Sequence, residues 1–299
     1  MKRKIIFMFS LLLVGYMLCA AGSREKSSSS GKKDGGMQSI PQRTVTNNVV
    51  ILQILDYLDV DVVAIPSTKR KIPERFTGKP EIGAPMKPDM ERLKEVKPDC
   101  FLTVSNLQAA LEPQLQTAKI PAVFLKTSNY TDLLDTILQL GKMYNKQEKA
   151  NEYVEKVQAK VNAAKEKAEK YGHPRILIIG GFPNSMSFHT ETSFVGSLAK
   201  VLGAENIWTS DKTNNSSVAL NFEVVKAANP DLILITSHGS AEEVAKMFEQ
   251  EFKNDFWSKL DAVKNKKVYT LDNEIFYIAG TIYIPEGLDI LSDIFYGSH

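Results

Sequence analysis

Cysteine and histidine are both scarce in this 299-residue sequence. The two cysteines, Cys19 and Cys100, are too few for a fold held together by disulfides. The four histidines are His173, His189, His238 and His299. A zinc or manganese site needs three or more ligands close together, and these scattered histidines form no cluster that predicts one.

An excess of charge of either sign is also lacking. Lys plus Arg number 37 and Asp plus Glu number 35, which gives a net charge of +2 at pH 7. Removal of residues 1–18 would take away three basic residues and leave a net charge of about −1. A near-neutral chain exerts no general attraction on nucleic acid, so we expect no DNA- or RNA-binding function.

A recognisable catalytic motif is absent as well. The segment GGFPNSMSFH (residues 180–189) contains Ser185, Ser187 and His189. The sequence has no G-x-S-x-G nucleophile elbow in which such a serine would be activated. We therefore expect a protein that is not an enzyme.

The amino terminus has the pattern of an export signal. Basic residues at the start precede the apolar run IIFMFSLLLVGYMLCA, and a polar, serine-rich stretch follows it. A membrane-spanning helix would need about 20 apolar residues and would normally continue into a folded segment. We predict a signal peptide at residues 1–18 and a flexible tether at residues 19–39.

Cys19, at the junction of these two segments, is the predicted site of lipid attachment. Its acylation would hold the protein outside the cytoplasm, anchored to the cell membrane. Tyr16 and Leu18 depart from the Leu and the Gly or Ala that bacterial lipobox sequences favour. Cleavage after Ala20 or Ala21 would instead give a secreted protein, and an uncleaved anchor is a third alternative.

Strands alternate with short helices over residues 40–141, which predicts an N-terminal α/β lobe, the first lobe, with a parallel sheet. Thr46 or Asn47 is expected to cap its first helix. The segment VDVVAIP (residues 60–66) is expected to form a short buried strand that ends at Pro66.

A helical pattern follows, almost unbroken from residue 131 to residue 172. We predict an interlobe helix at residues 142–172, with about 28 helical residues spanning about 42 Å. A coiled-coil or partner-binding helix is the alternative, but a narrow stripe of small apolar residues suits a helix lying along its own protein. The stripe consists of Met143, Ala150, Val154, Val157, Val161, Ala164 and Ala168.

Strand and helix patterns return over residues 173–299 and predict a C-terminal α/β lobe, the second lobe. The predicted fold class is therefore α/β, with two lobes, each around a mainly parallel central sheet, joined by one long α-helix. Ligands of such proteins bind between the lobes, near the carboxyl ends of strands.

Met86 and His238 are the candidate ligands of a metal. Met86 lies between Pro85 and Pro88 in a predicted loop, and His238 directly follows a predicted buried strand. Taken singly, a core methionine and a turn histidine would be the better interpretations. Together, one in each lobe, they could supply the two axial ligands that iron in a porphyrin leaves open.

Other residues could bind the rest of such a ligand. Lys69, Arg70 and Lys71 form a basic run before the Met86 loop that could meet haem propionates, and a solvated loop is an equal alternative. Lys69 and Lys71 are the residues we select from this run. Aromatic side chains on predicted loops of the second lobe could stack on a flat ring or belong to the core. They are Phe182, Phe188, Phe276, Tyr277 and Tyr283, of which Phe182 is the residue we select.

Glu91 and Glu223 occupy matching places in the two lobes. Each lies near the start of a predicted helix that ends in a K-P-D or N-P-D turn. Acidic residues stabilise helix starts, which is the simplest explanation of both. One exposed acid per lobe would also suit docking onto a two-fold partner with basic sockets.

Three segments carry a resemblance to a known family: PEIGAPMKPDMERLKEVKPD, SHGSAEEVAKMFEQEFKNDFWSKLDAVKNKKVY and GAENI. From about residue 43 to the carboxyl end, the chain resembles the haem-binding lipoproteins (IsdE type) of Gram-positive haem-uptake ABC transporters. This type belongs to the wider class III family of cobalamin- and siderophore-binding proteins.

The resemblance implies a monomeric substrate-binding protein of an ABC importer that carries haem b, iron protoporphyrin IX. It implies a permease with its ATPase as partner, and upstream surface haem-binding proteins as further partners. The haem-ligating methionine and histidine of the family fall on Met86 and His238. The glutamates that pair with permease arginines fall on Glu91 and Glu223.

Three alternatives remain. The same fold could carry a ferric siderophore or a cobalamin, although no arginine cluster for an anionic siderophore is evident. The protein could instead be a surface adhesin, or an enzyme that acts on haem. After residue 18 the arginines are Arg24, Arg43, Arg70, Arg75, Arg92 and Arg175.

Overall fold

The first lobe is built on a three-stranded parallel sheet. In this computed structural model, residues 39–182, 185–209, 215–219, 221–238 and 241–297 are described. The predicted signal peptide, Cys19 and the tether up to residue 38 lie outside them. The lobe's strands are β1 (Thr44–Thr46), β2 (Gly83–Ala84), β3 (Lys87–Pro88), β4 (Cys100–Val104) and β5 (Ala122–Leu125). The sheet has the order β1-β4-β5, and β2 pairs with β3 in a separate hairpin.

The helices of this lobe are α1 (Val49–Tyr57), α2 (Met90–Glu95), α3 (Gln108–Ala118) and α4 (Tyr130–Met143). The cap of α1 differs from the prediction, because the residue that fills it is Asn48. Its side-chain oxygen accepts hydrogen bonds from the backbone N–H groups of Val50 and Ile51. Thr46, two residues before this cap, supports it, because its hydroxyl oxygen accepts a hydrogen bond from the backbone N–H of Asn48.

The predicted strand at residues 60–66 is reduced to two isolated bridges. Ala64 pairs with Val45, whereas its neighbour Ile65 pairs with Glu81. Because consecutive residues pair with different segments, no continuous ladder can form there. Val60, Val62, Ala64 and Ile65 of this segment are nevertheless buried, as its apolar run predicts.

The long helical region is divided in two. After α4, α5 runs from Gln147 to Tyr171, 25 residues or about 37 Å. Asn145 adopts a left-handed conformation (φ 56°) in the break between them. Gly141 lets the helices approach closely, since a Cβ there would lie 2.4 Å from that of Ala150. The predicted interlobe helix therefore starts five residues later than residue 142.

The apolar stripe of α5 packs as the pattern indicates, with one exchange. Tyr153 is buried in place of Val154, which is half-buried, and the Tyr153 hydroxyl donates to the carbonyl oxygen of Ile282. Ala150, Val157, Val161, Ala164 and Ala168 are buried. One continuous apolar core contains residues of the first lobe, of α5 and of the last helix of the chain. The two lobes are therefore packed on a common core along α5.

The second lobe is built on a six-stranded mixed sheet. Its strands are β6 (Arg175–Phe182), β7 (Ser185–His189), β8 (Glu205–Asn206), β9 (Ser217–Val218), β10 (Leu232–Ser237) and β11 (Val268–Thr270). The order is β11-β10-β6-β7-β9, with β8 beside β6. The helices are α6 (Phe194–Val201), α7 (Phe222–Ala228), α8 (Ala241–Glu251), α9 (Asp261–Lys264) and α10 (Ile284–Tyr296). Within the described ranges, no helix is long and apolar enough to cross a membrane.

His189, at the end of β7, makes the stability of this lobe sensitive to acid. It is 2% exposed, its Nε2 has no hydrogen-bond partner among the described residues, and burial lowers its pKa to about 4. The unfolded chain, with a pKa near 6.5, takes up this proton more readily. Stability is therefore lost as pH falls from about 6.5 towards 4, by up to about 3 kcal/mol.

The measurement is urea unfolding of the wild type and His189→Leu at pH 7.5 and at pH 4.5. The wild type should lose more stability between the two values than the variant, which has no group to protonate at this position. Equal losses in the two proteins would contradict the assignment to His189.

Candidate ligand-binding site

Met86 is presented on a short hairpin that other segments hold in place. The side chain is 69% exposed at the turn between β2 and β3. The amide of buried Asn47, just after β1, donates to the carbonyl oxygen of Pro85 at 2.7 Å. The N–H of Ser67 donates to the carbonyl oxygen of Gly83 at 2.8 Å. An exposed methionine on an anchored turn is available to a ligand, which a core methionine is not.

The local sequence explains this hairpin. Gly83 has φ 91°, a conformation that favours glycine, and a Cβ there would lie 2.9 Å from the backbone nitrogen of Asp89. Pro85 and Pro88 restrict the chain on either side of Met86. The turn is therefore fixed by residues that leave the Met86 side chain outside it.

His238 lies at the carboxyl end of β10, in the second lobe. Its backbone N–H donates to the carbonyl oxygen of Gly181 at 2.9 Å, which ties it to the end of β6. The imidazole contacts the rings of Phe182 and Tyr277, with ring centroids 5.3 and 5.6 Å away. Its Nδ1 is buried without a partner in the part of the chain that the structure describes. Two aromatic rings thus contact the imidazole, and no described residue forms a hydrogen bond with its Nδ1.

Arg70 reaches the same group of side chains from the first lobe. Its guanidinium carbon lies 3.6 Å from the centroid of the Tyr277 ring, a cation–π contact between the lobes. Its Nε and Nη2 are buried and have no partner among the described residues. Burial lowers the pKa of the guanidinium, and the nearby Tyr277 and Glu274 oppose this effect. The structure therefore brings Arg70, Tyr277, His238 and Phe182 together.

Lys69 and Lys71, the predicted contacts for anionic groups, are both exposed. Lys71 lines a cavity of about 590 Å³ between α1 and residues 274–283, together with Glu74 and Glu274. Neither Met86 nor His238 lines this cavity. The three residues of the basic run therefore differ in their surroundings: Arg70 packs against Tyr277, whereas Lys69 and Lys71 are exposed to solvent.

The five candidate aromatic residues also divide. Phe188 and Phe276 are core residues, and Phe188 stacks on Trp208. Tyr283 lines the cavity beside α1. Only Phe182 and Tyr277, of these five, have rings against His238. Phe182 and Phe188 were predicted to lie on loops, but they belong to strands β6 and β7, which pair as an antiparallel hairpin. Successive residues of a strand point to opposite faces of the sheet.

Glu91 and Glu223 are both exposed in the first turn of a short helix, α2 and α7 respectively. Asp89 and Asn221 fill the N-caps of these helices, so neither glutamate is needed as the cap. Glu91 also contacts Lys94 on its own helix at 2.9 Å, a surface pair of small energy. Both carboxylates therefore remain accessible to another molecule.

The helix that carries Glu91 is anchored at its far end. The guanidinium of Arg43 donates to the carbonyl oxygens of Val96 and Lys97 at 2.7 and 3.0 Å. Asp99 accepts the backbone N–H of Arg43 at 2.9 Å. These bonds fix the end of α2 against the start of β1.

The helix that carries Glu223 has the same anchor. The guanidinium of Arg175 donates to the carbonyl oxygens of Ala228 and Asn229 at 2.8 and 3.1 Å. Asp231 accepts the backbone N–H of Arg175 at 2.7 Å.

The two anchors are equivalent in sequence and in conformation. In each lobe the arginine and the aspartate are 56 residues apart, and the glutamate follows the arginine by 48 residues. Lys97 and Asn229 both adopt the left-handed conformation, with φ 45° and 42°. The lobes thus share an internal structural repeat that presents one exposed glutamate each.

These features describe two lobes that share a structural repeat, and comparison with known proteins gives the class of the protein. The chain belongs to the periplasmic binding protein family, whose model matches residues 48–275. The family resemblance and the fold class drawn from the sequence are thereby confirmed. The protein is a substrate-binding protein of the class III architecture and not an enzyme.

Among its relatives, the high-affinity heme uptake system protein IsdE of Staphylococcus aureus is 33% identical over 300 residues, 98% of each chain. The structure of S. aureus IsdE complexed with heme matches with a TM-score of 0.77 and 33% identity, over 85% of this chain and 98% of that chain. An ABC transporter substrate-binding protein from Listeria monocytogenes matches with a TM-score of 0.78 and 35% identity, over 87% and 100%. S. aureus SirA complexed with staphyloferrin B, at 20% identity, TM-score 0.70 and coverage of 87% and 93%, shares the fold.

Proposed function

We propose that this protein captures haem between its lobes, with Met86 and His238 as axial ligands of the iron, and delivers it to the permease of an ABC importer for iron acquisition. The observation that carries the proposal is the pair itself. An exposed methionine lies on an anchored turn of one lobe. In the other lobe an imidazole contacts two aromatic rings, and its buried Nδ1 has no partner among the described residues.

The chemistry of this pair suits a carrier. Imidazole nitrogen is a firm ligand of haem iron, whereas thioether sulfur is softer and weaker. A site with one strong and one weak axial ligand holds its cargo yet can release it to a partner. The rings of Phe182 and Tyr277 supply apolar surface for a flat macrocycle.

Delivery requires recognition by the membrane components. Glu91 and Glu223, each on an anchored helix, are the proposed contacts with basic residues of the permease. Acylation of Cys19 would keep the protein at the extracytoplasmic face of the cell membrane, close to that permease. Surface haem-binding proteins upstream would supply the cargo.

The test is an absorption titration of purified residues 39–299 with haemin, in the ferric form and after reduction. A saturable one-to-one shift of the Soret band, with sharp low-spin bands after reduction, would support the proposal. Uptake that does not saturate would overturn it. Saturable binding of a ferric siderophore or a cobalamin in place of haemin would transfer the function to that cargo, and degradation of bound haem with a reductant would indicate an enzyme.

A further inference from the structure

Arg70 differs from every other arginine in the described part of the chain. Arg75, Arg92 and Arg175 each lie within 4 Å of a carboxylate, and Arg43 donates to two carbonyl oxygens. Arg70 alone among these five has a buried Nε and a buried Nη without a partner.

Buried guanidinium nitrogens without hydrogen-bond acceptors lower the stability of a fold, so their retention calls for an explanation. The cation–π contact with Tyr277 offsets part of this cost, but it leaves the Nε and Nη2 donors without an acceptor among the described residues. Guanidinium donors in this fork arrangement match the geometry of a carboxylate or a phosphate. The unused donors therefore point to an anion from outside the chain.

We propose that Arg70 is the residue that recognises a carboxylate of the cargo, and that Tyr277 holds its guanidinium in position for this contact. The inference rests on the proposed function, since haem carries two propionate carboxylates. Tyr277 contacts both Arg70 and His238, which places the carboxylate-binding donors next to the proposed iron ligand. A group that binds iron and also bears a carboxylate can use both at once.

Lys69 and Lys71 are poorer candidates for this role, although they flank Arg70. Both are exposed, so each ammonium group is already hydrated and gains little from a screened contact with an anion. A partly buried guanidinium gains more from the same contact because less water competes for it.

The experiment compares haemin with haemin dimethyl ester, whose propionates are neutral, on the wild type and on Arg70→Gln. The wild type should bind haemin about tenfold or more tightly than the ester. Arg70→Gln should lose that preference, so that the ratio of the two dissociation constants falls close to one. Lys69→Gln and Lys71→Gln are matched controls, because each removes one neighbouring positive charge and should leave the ratio within about twofold of the wild type.

Tyr277→Leu supplies a second variant that keeps the charge and removes the ring under it. It should lower the preference only in part, since the guanidinium remains but is no longer held. Equal wild-type affinity for haemin and its ester, or an unchanged ratio in Arg70→Gln, would overturn the role of Arg70 while haem binding stands. A wild type that binds neither porphyrin saturably would overturn the proposed function as well.

Discussion

Replacing His238 with alanine is expected to weaken haemin affinity by about a hundredfold and to abolish the low-spin spectrum of the complex. The loss corresponds to about 3 kcal/mol, because imidazole is the firmer of the two proposed ligands. Met86→Leu keeps an apolar side chain of similar size and removes only the sulfur. It should cost about tenfold in affinity and convert the spectrum to one with a weak or absent sixth ligand. Absorption titrations of both variants, ferric and reduced, provide the measurement.

The matched control for the histidine is His173→Ala. His173 is exposed and lies beside Gly203, whose carbonyl oxygen is 2.7 Å from its Nδ1, so its loss should not affect the haem spectrum. Circular dichroism should show that all variants retain the fold. Spectra of Met86→Leu and His238→Ala that match the wild type would exclude axial ligation by this pair.

The double variant Glu91→Lys, Glu223→Lys is expected to abolish haem import while leaving haemin affinity unchanged. Both carboxylates are exposed and lie on anchored helices, so reversing their charge should repel a basic docking surface without disturbing the fold. Each single variant should retain part of the activity, because one lobe would still dock. Haem-dependent growth of cells expressing the variants, beside titrations of the purified proteins, separates docking from binding.

The control is Glu155→Lys, Glu249→Lys, which makes the same change of charge at exposed positions of α5 and α8. This protein should import haem as the wild type does. If the Glu91 and Glu223 double variant also imports normally, docking does not depend on these two residues.

Much of the fold could be predicted because local patterns and packing agree. Strands and short helices alternate in the first lobe as expected, and local sequence accounts for them: β4 is an apolar run, and α2 begins after a capping aspartate, Asp89. The failures have physical causes that sequence patterns do not encode. Residues 60–66 read as a strand, but the ladder is broken because consecutive residues pair with different partners. The break between α4 and α5 depends on Asn145, which adopts a left-handed turn with no proline or glycine to signal it.

Met86 and His238 could be selected from the sequence as candidate ligands, a role that stays a prediction, whereas the residues around them could not be deduced. Met86 could be suspected because two prolines exclude it from regular structure, and His238 because it follows a buried strand. The contacts of Tyr277 with His238 and Arg70 could not be deduced from the sequence. Arg70 and Tyr277 are about 200 positions apart in the chain, and only the tertiary fold brings them together. The pattern KRK gave no reason to separate the arginine from its lysine neighbours, because burial decides that difference and burial is a tertiary property.

The repeated arginine–aspartate anchors hold Glu91 and Glu223 in equivalent settings in the two lobes, while the proposed cargo site has a methionine on one side and a histidine on the other. A two-fold symmetric partner that contacts only one glutamate in each lobe would bind this protein in either of two orientations, related by a 180° rotation about the partner's axis. Because both orientations are productive, twice as many encounters with the partner would lead to docking. The two orientations would, however, exchange the positions of Met86 and His238 relative to the translocation path of the partner. A permease that binds the protein in both orientations must therefore accept the haem ring with either of its two faces forward.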